Sequence, residues 1–150
     1  YNILGGNHQM GKYAMAYYAA VNLANDMKHI HTHCIGKLFD IGHSICNEYY
    51  EKANENADTL AELAIEKNEA ISNPAFAAEA SNYRPTNYKN YNFNNAMRAS
   101  KSCIEKYLDV LVSLRDSIDS GSVQSLLDDM MRYWEKEKDY KIKARLAAWE

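Results

Sequence analysis

Between residues 39 and 69 the chain carries no proline, and its only glycine, Gly42, sits near the start. Ile41, Ile45, Leu60, Leu63 and Ala64 recur near the helical period, which predicts one long amphipathic helix over that stretch. Upstream, Met10, Ala14, Tyr17, Val21, Ala24 and Met27 form the apolar stripe of a helix over residues 9–34, with Gly36 placed as its stop. Downstream, Met97, Ile104, Tyr107, Leu108, Leu111 and Leu114 predict a helix over residues 95–117. Ser120-Gly121-Ser122 breaks it, and Val123, Leu126, Leu127, Met130, Met131, Trp134 and Ile142 mark a last helix over residues 122–146. Both prolines, Pro74 and Pro85, lie in the Asn- and Ser-rich segment between the second and third helices. There, Pro74 opens a short helix through Ala80. No alternating pattern suggests a sheet, and no internal repeat is visible.

Two tight helical hairpins joined by one long crossover make a single all-α domain over residues 1–150. One long crossover is the connectivity of ferritin-like four-helix bundles rather than of a simple up-down bundle. The segment 83–91 is polar and tyrosine-rich but too short to be a disordered region.

Composition narrows the function classes. A chain of 150 residues with formal net charge -3 has no electrostatic drive toward nucleic acid or anionic membrane. No apolar run approaches the ~20 residues of a membrane span. No cationic stretch followed by an apolar one opens the chain, so no secretory signal is expected; a start at Tyr1 rather than Met leaves room for a trimmed precursor. Cys34, Cys46 and Cys103 fit neither a disulfide framework nor a CxxC zinc pattern, and are expected to be reduced core thiols of a cytoplasmic protein. Twelve tyrosines stand against three phenylalanines, so tyrosine must do much of the aromatic packing.

Four of the five histidines fall between residues 29 and 43. In the run His29-Ile-His31-Thr-His33 a helix puts His29 and His33 on one side and His31 on another. On the second helix His43, Asn47, Asp58 and Glu62 fall within about a 100° arc. His43 and Glu62 are nevertheless separated by about 28 Å along the axis, so one chain cannot close them around one ion. An antiparallel copy of the helix would bring each His43 beside its partner's Asp58 and Glu62, making a metal site at a dimer interface. Taken alone, Asp58 and Glu62 also read as solvated acids, since Glu51, Glu55, Glu66 and Glu69 surround them. Imidazole with carboxylate suits iron or manganese. The Glu-x-x-His motif of di-iron bundles is absent, as are His-Glu-x-x-His, a P-loop, a dinucleotide fingerprint and Gly-x-Ser-x-Gly. A metal centre inside one bundle and nucleophilic catalysis are therefore not expected.

His31, His43 twelve residues later, and Asp58-Thr-Leu-Ala-Glu62 together resemble the ferroxidase signature of the Dps miniferritins, the DNA-binding proteins from starved cells. The likeness runs through Leu38-Phe39, the Pro74 crossover and the closing Lys143-Ala-Arg-Leu. It implies a hollow dodecamer built from two-fold dimers, which oxidises Fe(II) with hydrogen peroxide or dioxygen, stores the ferric mineral and protects against oxidative damage. By this resemblance, iron is held by His31 and His43 of one subunit and Asp58 and Glu62 of the other, with Glu62 as bridge and zinc as a substitute ion. The family commonly has Asp where this chain has Asn47, a neutral ligand, so one strong and one weak metal position are expected. The family's Trp after the first histidine is Thr32 here, which leaves Tyr49, Tyr50 or another of the many tyrosines as a substitute electron donor, although tyrosine more often serves packing alone. The family's basic tail is missing, since residues 1–11 hold no lysine or arginine, and DNA binding is expected to be weak or absent. Other readings are a Dps-fold shell acting mainly on DNA or another macromolecule, or a helical structural protein with a degraded site. Cation uptake through an acidic pore would fall to Asp116, Asp119, Asp128 and Asp129 near the third-to-fourth helix turn.

Overall fold

The computed structural model describes residues 11–85 and 89–147. Helix α1 is Lys12–Thr32, α2 is Phe39–Glu66, α3 is the four-residue Ala77–Ala80, α4 is Phe93–Asp116 and α5 is Gly121–Lys136; a π-helical segment, Glu137–Ile142, leads into α6, Lys143–Ala147. Among the described residues there is no strand. One parallel bridge, Cys34 to Tyr91, ties the end of α1 to the end of the crossover. The architecture is the all-α, ferritin-like four-helix bundle with one long crossover that the sequence predicts.

Helix boundaries agree with the apolar periods to within a few residues. Gln9 and Met10, expected to open the first helix, lie outside the described residues. The start of α1 is instead set at Gly11, whose backbone needs an outside cap: Glu69 Oε1 accepts the Ala14 N–H at 2.8 Å. A Cβ on Gly11 would come within 2.2 Å of the Glu69 carboxylate, so a larger residue there would push the capping side chain aside. Gly36, at φ +96°, turns the chain from α1 into α2. After α2, Asn68 takes the left-handed conformation and ends the helix three residues earlier than expected. The Pro74 helix begins as one 3-10 turn, Pro74–Phe76, capped by Asn73, before α3.

The predicted stripes on α1, α4 and α5 are buried, with Leu126 half-buried. Ile41 departs from expectation at 53% exposed, because it lies about 100° round α2 from the centre of the buried stripe. All three cysteines are buried and free of disulfides, as expected. Two of the buried tyrosines pair their hydroxyls inside the bundle. Tyr107 Oη and Trp134 Nε1 both donate to Asn56 Oδ1 at 2.9 Å, and Tyr49 Oη donates to Glu137 Oε1 at 3.0 Å. No helix among the described residues is long and apolar enough to cross a membrane.

Candidate metal centre

The two histidines come from the facing ends of α1 and α2. His31 lies in the last turn of α1 and His43 in the second turn of α2, and the reversal at Gly36 sets them against each other. His31 Nδ1 donates to the His43 carbonyl and His43 Nδ1 donates to the His31 carbonyl, both at 2.9 Å. The rings stack at 3.7 Å between centroids, 22° from parallel, and Phe39 stacks on the outer face of the pair, 5.0 Å from His43. A carbonyl oxygen has no proton to give, so each Nδ1 must carry one. In the neutral ring that leaves the Nε2 lone pair of both histidines to bind something else. This is the arrangement by which backbone carbonyls fix the tautomer of metal-binding imidazoles.

The rest of the predicted set lies along α2, on the side opposite its buried stripe of Ile45, Tyr49, Ala53, Leu60 and Leu63. Asn47 is one turn beyond His43 and donates its amide to Glu51 Oε1 at 3.1 Å, which leaves its Oδ1 as a neutral oxygen. Asp58 and Glu62 are exposed, one turn apart. Asp58 borders an open depression with Tyr17, Val21, Asn54, Ala61 and Pro74. The Tyr17 hydroxyl is raised above its usual range, first by burial, then by Tyr18 and by the Asp58 charge. The structure therefore brings His31 to His43 but holds the carboxylates at the far end of an unbroken helix. Among the described residues no three metal-ligating His, Cys, Asp or Glu side chains converge. His29 and His33 share the other side of α1, their rings 4.3 Å apart, with Tyr91 edge-on to His29.

Two features lie beyond the sequence reading. Glu137, to which the sequence reading gave no role, is buried between Tyr49, Lys141 and Arg145. Of the four expected pore acids, Asp128 is ion-paired with Arg115 at 3.0 Å on the surface.

Four helices with one long crossover define the ferritin-like class of bundle. No protein-family model and no curated protein matches the chain. Solved structures do. Helicobacter cinaedi CAIP superposes with a TM-score of 0.79 at 17% identity, covering 91% of this chain and 99% of that one. Antigen TpF1 from Treponema pallidum gives 0.78 at 19% identity, covering 90% of each chain. A Dps protein from Bacillus brevis gives 0.77 at 19% identity, covering 90% of this chain and 94% of that one. At this identity the likeness establishes the fold, and the fold is that of a Dps protein.

Proposed function

We propose that two copies of this chain pair antiparallel along α2 and that each pair completes two sites at which Fe(II) is bound and oxidised. Six pairs would close a shell that keeps the ferric product. The observation that carries this reading is the reciprocal histidine pair, whose Nδ1 atoms are both spent on backbone carbonyls and whose Nε2 lone pairs are left over. Two imidazoles alone are half a ligand set. The missing oxygens stand on the exposed face of α2 in a register that a two-fold axis supplies. His43 and Glu62 are equidistant from the midpoint between Lys52 and Ala53, and so are Asn47 and Asp58. Ile65, on the same face and 59% exposed, gives that face an apolar group to bury in the pairing.

The donor set fits the ion. Imidazole nitrogens and carboxylate oxygens suit Fe(II), and zinc as a competitor. His31 with the partner's Asp58 would hold the tighter position and His43 with Asn47 the weaker one, with Glu62 touching both. Each Fe(II) gives up one electron and peroxide takes two, so two neighbouring positions match the oxidant. The test is the rate of Fe(II) oxidation by peroxide and by dioxygen in the metal-free, assembled protein. Glu62→Ala should abolish it, and Asn47→Asp should tighten the second position and speed the reaction. Parental rates in assembled Asp58→Ala and Glu62→Ala variants would overturn the proposal.

A further inference from the structure

Two cysteines face each other across the reversal between α1 and α2. Cys34 follows the end of α1, and Cys46 lies on α2 one turn after Gly42. Both are buried, at 6% and 0% exposure, and neither is in a disulfide. Their thiols are hydrogen-bonded to each other, Cys46 donating to the Cys34 sulfur. Cys34 donates in turn to the Ile30 carbonyl at 3.2 Å. Ser100 Oγ on α4 stands 3.6 Å from Cys46 Sγ and must be the donor there, since the Cys46 proton is already directed at Cys34. A directed chain of hydrogen bonds thus runs from Ser100 through both sulfurs to α1.

An isolated buried cysteine is ordinarily an inert apolar group. This pair differs because the two sulfurs are held together from separate elements. The Ile35 N–H bonds to the Tyr91 carbonyl at 2.8 Å and the Tyr91 N–H to the His33 carbonyl at 2.9 Å, so the backbone is clamped on both sides of Cys34. The side chain keeps room to turn, because Gly42 sets only a hydrogen against it. A Cβ at Gly42 would stand 3.7 Å from Cys34 Sγ. A fixed backbone with a turning side chain holds the sulfurs at high effective concentration. The third cysteine lies apart on α4, beside Asp26. Burial and then the Asp26 charge push the Cys103 thiol up to about 12, so it stays protonated and poorly reactive.

We propose that Cys34 and Cys46 are a peroxide-oxidisable dithiol that closes to an intramolecular disulfide between the end of α1 and α2. Cys34 is the more accessible sulfur and meets the oxidant first. It attacks one peroxide oxygen, the O–O bond breaks, and the departing hydroxide takes the Cys34 proton as water, which leaves a sulfenic acid. The Cys46 sulfur then attacks the Cys34 sulfur, the S–O bond breaks, and hydroxide leaves with the Cys46 proton as a second water. Two thiols lose two electrons and one peroxide gains them, so no iron enters the step. The bridge pins the residue that follows α1 to the helix that carries His43.

The test treats metal-free, assembled protein with a small excess of hydrogen peroxide in the presence of a chelator. Intact mass, thiol titration in denaturant and peptide mapping read the product. A loss of about 2 Da is expected, reversed by dithiothreitol. Free thiols should fall from three per chain to the single thiol of Cys103. Cys103→Ser should keep the mass loss, whereas Cys46→Ser should halt at a Cys34 sulfenic acid that dimedone captures. Three free thiols after treatment, a disulfide that uses Cys103 or joins two chains, or thiol loss that dithiothreitol does not reverse would each overturn the proposal. So would the same mass loss in Cys46→Ser. Peptide mapping of the parent chain decides the matter even where a variant fails to fold. Because no iron is present, these outcomes are separate from whether the chain oxidises Fe(II).

Discussion

Asp26 shows how one buried side chain ties stability to pH. Burial raises its carboxyl above the usual range, and the bonds from Tyr83 and Cys103 with the nearby Lys106 and His29 charges recover only part of the shift. Folding therefore favours the protonated form. Below the ordinary carboxylate range both folded and unfolded chains are protonated and nothing is lost. As pH rises through the raised pKa the folded chain gives up stability. Asp26→Asn, which can still accept from Tyr83, should raise the melting temperature at about pH 7 more than at about pH 4. An equal change at both would refute the linkage. Asn56 is a second decisive residue, since one oxygen serves both Trp134 and Tyr107 inside the bundle. Asn56→Ala strands two buried donors and should cost about 2–4 kcal/mol in denaturant unfolding. A loss well under 1 kcal/mol would mean that water takes over the bonds.

At the scale of elements, the fourth long helix is the one that departs from regularity. It is continuous in its apolar period, yet its third quarter is the π segment Glu137–Ile142. A wider turn slows the rotation per residue, which lets Glu137, Lys141 and Arg145 work on one side of the helix. Lys141 Nζ is 2.9 Å from Glu137 Oε2, and Arg145 Nη1 donates to Tyr49 Oη at 2.9 Å, while Tyr49 donates to Glu137. This network anchors the chain end to the middle of α2. Glu137→Ala removes the acceptor and leaves Arg145 and Tyr49 without their shared partner, so unfolding free energy should fall by about 3 kcal/mol. Amide exchange in α6 should quicken, whereas Glu137→Gln, which keeps the Tyr49 bond, should show a smaller change. Unchanged exchange in both would show that the π segment is not held by Glu137.

For the whole molecule the question is what covers the outer face of α2. A charge at Ile65 meets no core neighbour of its own chain, so Ile65→Asp should leave the monomer fold intact and split the proposed pair. Light scattering at about micromolar concentration would then show smaller species than the parent, and Fe(II) oxidation would fall with them. A monomeric parent protein would remove the basis for both effects. The same charge balance bears on nucleic acid. At -3 per chain and with no Lys or Arg in residues 1–11, an assembly of this chain should not retard plasmid DNA at about 0.15 M salt. Retardation under those conditions would favour the macromolecule-binding reading over iron storage.

The apolar period of the sequence was enough to determine the four helices, the crossover and, Ile41 excepted, the buried stripes, because periodicity is a local property repeated at every turn. It also determined that His43 and Glu62 share a face yet cannot meet within one chain, since the helical rise alone separates them. Tertiary structure decided what depends on partners far along the chain. The mutual carbonyl bonds of His31 and His43 arise only when Gly36 folds α1 against α2. Glu137 has no role in the sequence reading and is buried because a π turn aims it at Tyr49, 88 residues away. Asn22 and Asp26 carry no signal in the sequence, and they line a cavity because left-handed Asn82 returns Tyr83 over them. Hydrogen-bond satisfaction in a low-dielectric interior is set by three-dimensional neighbours, and no one-dimensional spacing encodes it.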